Sequence, residues 1–121
     1  MKDLDLHVGY NRQVVEDRVL AAIQKAEAGE QVGRSHVTFE SWEGMTKTLT
    51  PKRLEVLRHL HAHPAASIAD LARRLGRDYK RVHEDVEILS AAGLVERTDV
   101  GGLRARYDEI RASITFTLPA A

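Results

Sequence analysis

Five basic side chains, Arg73, Arg74, Arg77, Lys80 and Arg81, fall between residues 73 and 81, opposed there only by Asp78. Clustered cations of this kind make and break no bonds. They raise a local positive potential that attracts anions, phosphate oxygens above all. The potential is local, because the 121-residue chain carries 18 basic and 18 acidic residues in all. Residues 1–49 are slightly acidic, 50–92 slightly basic and 93–121 balanced. A neutral chain holds few phosphates per copy, so one copy alone binds non-specific nucleic acid weakly, and a dimer doubles the count.

His59, His61 and His63 alternate, and His59 with His63 has the i,i+4 spacing that can hold a metal on a helix. Pro64 follows at once, and no cysteine or adjacent carboxylate completes a ligand set. The plainer reading is histidines at a helix C-terminus, where they favour the dipole. No metal and no cofactor are therefore expected. The absence of cysteine removes disulfides, thiolate zinc sites and thiol nucleophiles together. No paired carboxylates, nucleophile–base motif, GxGxxG or P-loop lysine stands at a recognisable position, so no enzymatic activity is expected. No apolar run is long enough to span a bilayer, and no charged-then-apolar leader opens the chain. The expected location is the cytoplasm, away from membranes.

The elements that must position the cations are legible. Thr50-Pro51 offers a capping hydroxyl and then proline at the first helical position. That helix runs to about Ala62 with Leu54, Leu57 and Leu60 inward. Ser67 and Asp70 have capping-box spacing, and Ile68, Leu71, Ala72 and Leu75 pack the helix they open. Gly76 supplies a turn and Asp78 caps the next helix, whose apolar stripe is Val82, Val86 and Leu89. Gly93 ends it, Leu94-Val95 opens a strand, and Gly101-Gly102 marks a turn. Ile110, Ala112, Ile114, Phe116 and Leu118 alternate with polar residues, which predicts a strand up to Pro119. That strand could pair with Val37–Phe39, within the chain or across a dimer.

Upstream, residues 1–10 read as a polar or partly extended lead-in. Val15, Val19, Ala22, Ile23 and Ala26 mark an amphipathic helix from Asn11 to Ala28, with Asn11 as cap and Gly29 as stop. Val37 and Phe39 suggest a short strand, and Ser41–Leu49 a short helix with Trp42 and Met45. The predicted fold class is mainly α with a small β-sheet: a three-helix core with a β-hairpin wing, preceded by a helix–strand extension. Residues 1–48 form the extension and 49–121 a winged helix-turn-helix, a layout that places one helix in the DNA major groove. The extension needs a surface to cover, and a dimer partner is the natural one.

The segment from Leu49 to Arg97 resembles winged helix-turn-helix transcriptional regulators of the MarR-like and GntR-like type. It is most similar to small bacterial and archaeal regulators with TPKR at the first helix, LARRLGRDYK in the turn and GLVER before the wing. A weaker likeness continues through Tyr107–Ile110. The resemblance implies a homodimer that binds a double-stranded DNA operator and represses transcription, often of its own operon. Some members of the group look like antitoxins, which makes neutralisation of a toxin protein the alternative. Carried over, the recognition helix is about Asp78–Ala92. Its start points Arg77, Tyr79, Lys80, Arg81 and His83 at DNA, with Arg73 and Arg74 on phosphates. Tyr79 could equally extend the core stripe, and His83 could be a plain exposed histidine. The wing would be a hairpin from Leu94 to about Ile114 with Arg104 and Arg106 near its tip. Glu84, Asp85 and Glu87 form an acidic patch set away from DNA.

Overall fold

A computed structural model describes residues 2–8, 12–27, 34–114 and 118–120. About half of the chain is helical, with a small sheet. The order is β1 (Asp3–Val8), α1 (Arg12–Glu27), β2 (Arg34–Phe39), α2 (Trp42–Thr48), α3 (Pro51–Ala62), α4 (Ile68–Leu75), α5 (Tyr79–Ala91), β3 (Glu96–Arg97), β4 (Leu103–Arg104) and β5 (Glu109–Ser113).

The helix starts follow from local side-chain chemistry. Thr50, Ser67 and Asp78 are in extended conformation, and each side chain accepts the backbone N–H three residues on, from Arg53, Asp70 and Arg81 respectively. Asp70 completes its box one residue early, on the Ala66 N–H at 3.1 Å. Gly76 ends α4 at φ 63, a left-handed conformation that glycine adopts without a Cβ penalty. Leu71, Ala72, Val82, Val86 and Leu89 are buried between α4 and α5, with Val56, Leu57 and Leu60 of α3 beside them. Val56 was not among the inward positions expected of that helix.

The lead-in expected over residues 1–10 is instead a central strand. β1 pairs in parallel with β2 on one side and with β5 on the other, giving the order β2-β1-β5. Leu4 and Leu6 are fully buried in the same apolar cluster as Val56, Leu60 and Leu89. These N-terminal leucines thus find cover within the chain. The strand predicted over Ile110–Leu118 is shorter, Glu109–Ser113, and Ala112 on it is exposed. Within the chain it does not pair with Val37–Phe39, because β1 lies between the two. Leu118 is exposed, while Phe116 lies outside the described residues, as do Asn11 and Gly29, the expected ends of α1.

Leu94 and Val95 do not begin a strand; they are buried in the loop before β3. The hairpin is β3–β4 alone, closing over Thr98–Gly102 with Gly101 at φ 84. Ala65 bridges to Leu103 through paired backbone bonds of 3.0 and 2.8 Å, which ties the α3–α4 loop to the hairpin. α1 forms as expected, and two positions of its expected stripe, Val19 and Ile23, are 54 and 48% exposed, as is Leu20 beside them at 54%. No helix among the described residues is long and apolar enough to cross a membrane.

Candidate nucleic-acid interface

The five clustered cations fare differently. Arg73 and Arg74 share one carboxylate, Asp70, at 2.5 and 3.1 Å. Arg74 also donates to the Pro64 carbonyl at 3.2 Å. The Ala66 backbone N–H, helped by the two arginines, holds the Asp70 carboxyl below its ordinary range. Arg73 nonetheless keeps 79% of its side chain exposed. Both arginines stand on the outer face of α4, and their charge is half neutralised.

Arg77 is drawn inward. Its side chain is 15% exposed, and its Nη2 donates to Asp85 Oδ2 at 2.7 Å. Arg53 Nε donates to the other oxygen of Asp85 at 3.1 Å, and Arg53 Nη1 reaches the carbonyls of Lys47 and Thr48. Asp85 is the one buried charged residue among those described, 8% exposed. It follows Val82 by three and precedes Leu89 by four, so helical geometry puts it on the packed face. A carboxylate there needs compensating charge, and the two arginines supply it. The acidic patch therefore divides. Asp85 turns into the protein, Glu87 turns to Arg97 and His83, and Glu84 stays exposed.

Lys80 and Arg81 stand exposed in the first turn of α5, and no ion pair among the described residues engages them. Tyr79 beside them is 53% exposed, so it does not extend the core stripe. Its ring lies 5.9 Å from that of His83. His83 is half-buried, with Glu87 at 3.7 Å.

Sequence reasoning missed Lys52. It sits in the first turn of α3 and faces the first turn of α5 across an open cleft of about 510 Å³. Thr50, Arg77, Lys80 and Arg81 share that cleft, and Asp78, Glu84 and Asp85 line it too. Neither α3 nor α5 carries an acidic residue in its first turn. Two helix N-termini thus converge with three cations that have no ion pair among the described residues, and of the lining carboxylates Asp78 caps α5 and Asp85 is held by Arg53 and Arg77. The signal was available in the order Thr-Pro-Lys-Arg, which puts lysine at a helix start.

Arg104 and Arg106 do not reach the hairpin tip, which is made by Asp99, Val100 and Gly101. Arg104 crosses from β4 to Glu96 on β3 at 2.8 Å. Arg106 donates to the Tyr107 hydroxyl at 3.4 Å and lies 3.9 Å from Glu96. The Arg104 bond draws the Glu96 carboxyl down and the Arg104 guanidinium up. Of the three histidines, His59 and His63 lie with rings 5.7 Å apart, while His61 bonds Asp108 at 2.9 Å. Among the described residues no group of three or more His, Cys, Asp or Glu is placed to hold a metal.

A family model, HVO_A0114, matches residues 48–112. The chain belongs to the HVO_A0114 family. The match runs from the end of α2 through Ala112 of β5, and so takes in the whole cationic cleft. The β1–α1–β2 segment lies outside the part by which the HVO_A0114 family is matched. No curated protein and no solved structure matches this sequence.

Proposed function

We propose that this HVO_A0114-family chain is a DNA-binding transcriptional regulator, a repressor acting as a homodimer in the cytoplasm. The observation that carries the reading is the cleft between α3 and α5. There Lys52, Lys80 and Arg81 crowd two helix N-termini without a partner among the described residues. Duplex DNA answers that conflict with phosphates, while Tyr79 and His83 stand on the same helix within reach of base edges. The order α3–α4–α5 followed by the β3–β4 hairpin supports a winged helix of the MarR-like or GntR-like kind, with α5 as recognition helix. The exposed Val19, Leu20 and Ile23 of α1 support a second copy of the chain as their cover, since a two-fold operator calls for a two-fold protein.

The antitoxin alternative rests on the same α1 side chains, which a toxin would then cover. Size measurement on the isolated chain separates the two: a dimer supports the repressor reading, and a monomer that dimerises with nothing favours a foreign partner. The main test is selection of bound duplexes from a random pool, followed by titration of the selected duplex at several salt concentrations. Salt-dependent, sequence-selective binding lost in Lys80→Ala/Arg81→Ala supports the proposal. Recovery of no enriched sequence, or binding indifferent to that double change, sinks it.

A further inference from the structure

On the far side of α3 from the cationic cleft lies a second groove, of about 320 Å³. Leu54 and Leu57 of α3 and Ile110 of β5 give it an apolar wall. Tyr107 stands beside them, half-buried, with its hydroxyl held by Arg106. The volume is at the small end of the range for ligand sites, and the mixture of apolar wall and few polar groups is typical of them.

The polar groups are unequal. Asp108, which also lines the groove, has both carboxylate oxygens engaged: Oδ1 with His61 at 2.9 Å and Oδ2 with the Lys2 backbone N–H at 2.7 Å. Arg58 also lines the groove and has no ion pair among the described residues. An arginine beside apolar wall presents a planar fork of donors suited to a carboxylate, while Asp108 of the same lining is held by His61 and the Lys2 N–H.

We propose that this groove binds a small amphipathic monocarboxylate, its carboxylate on Arg58 and its hydrocarbon body against Leu54, Leu57 and Ile110. The site is separate from the cationic cleft and stands whether or not the chain binds DNA. An occupant touches both α3 and the strand that pairs with β1, so it bridges the helix that opens the cleft and the N-terminal sheet.

The test is a titration of the full chain with hexanoate, followed by backbone amide shifts, with hexan-1-ol and hexylamine as matched controls. Saturable shifts grouped at Leu57, Arg58, Tyr107 and Ile110 are expected. Affinity should fall at least tenfold in Arg58→Ala and recover in part in Arg58→Lys. Arg58 is exposed, so neither change threatens the fold. Scattered or non-saturating shifts, equal binding of the alcohol, preference for the amine, or an unaltered Arg58→Ala would each overturn the proposal.

Discussion

Asp85 and Arg77 face each other across the α4–α5 turn, eight positions apart in sequence and 2.7 Å apart in space. The pair fixes the start of α5 against its own second turn. Through Arg53 on the other oxygen, it also fixes α5 to α3. The two first turns that carry Lys52 and Lys80 are thereby held at a set separation. Removing the carboxylate leaves two arginines without compensation in a site where each is 15% exposed. Asp85→Ala should therefore cost about 3–5 kcal/mol, the usual penalty for breaking a buried pair from one side. Urea denaturation followed by circular dichroism measures it, and a loss within about 0.5 kcal/mol, the size of an ordinary surface change, would contradict the role.

Arg77 and Lys80 should separate in salt dependence. Each phosphate contact contributes about 0.9 to the slope of log affinity against log salt. Lys80→Ala should lower that slope by about one such unit. Arg77→Met should reduce stability and leave the slope closer to that of the parent, because its guanidinium is already spent on Asp85. Anisotropy titrations of a selected duplex at four salt concentrations decide between them.

The β1 strand should behave as core. Leu6 is fully buried, so Leu6→Ala should destabilise by about 2–5 kcal/mol. A polar lead-in would tolerate that change with almost no effect. Denaturant midpoints of the two proteins give the answer directly.

Acid should loosen the β1–β2 face. His7 Nε2 and His36 Nδ1 are 3.1 Å apart, within hydrogen-bond distance. Burial first, then Arg18 and His36, hold His7 below its ordinary value of about 6.5, against the pull of Asp5. The folded chain thus takes up a proton on His7 less readily than the unfolded chain. The contribution is fully present above about pH 6.5 and is lost as pH falls through the folded value. His7→Gln should flatten the dependence of stability on pH in that window. An equally steep profile in the variant would assign the dependence to other groups.

The α3–α5 region was legible because its signals are local. Thr50, Ser67, Gly76 and Asp78 each act within three or four residues, and the stripe at Val82, Val86 and Leu89 needs only helical periodicity. Asp85 was legible in principle, since it shares that periodicity, but its charge grouped it with Glu84 and Glu87. β1 failed for a different reason. Parallel strands usually read as continuous apolar runs, whereas Asp3-Leu4-Asp5-Leu6-His7-Val8 alternates, and its partners lie some thirty and a hundred residues away. The fate of Arg104 and Arg106 turned on a hairpin that closes at Thr98–Gly102, several residues short of the expected span.

The pairing of Asp3 with Glu109 and of Leu4 with Ile110 has a consequence for biosynthesis. β1 acquires one of its two neighbours, β5, only after about a hundred further residues have been made. Helices α3–α5 and the β3–β4 hairpin need no such wait, since their contacts are close in sequence. The cleft-bearing half can thus take shape before β5 is made, with β1 lacking its second neighbour until then. That interval, rather than the finished fold, is when this protein is most exposed to chaperones and to aggregation.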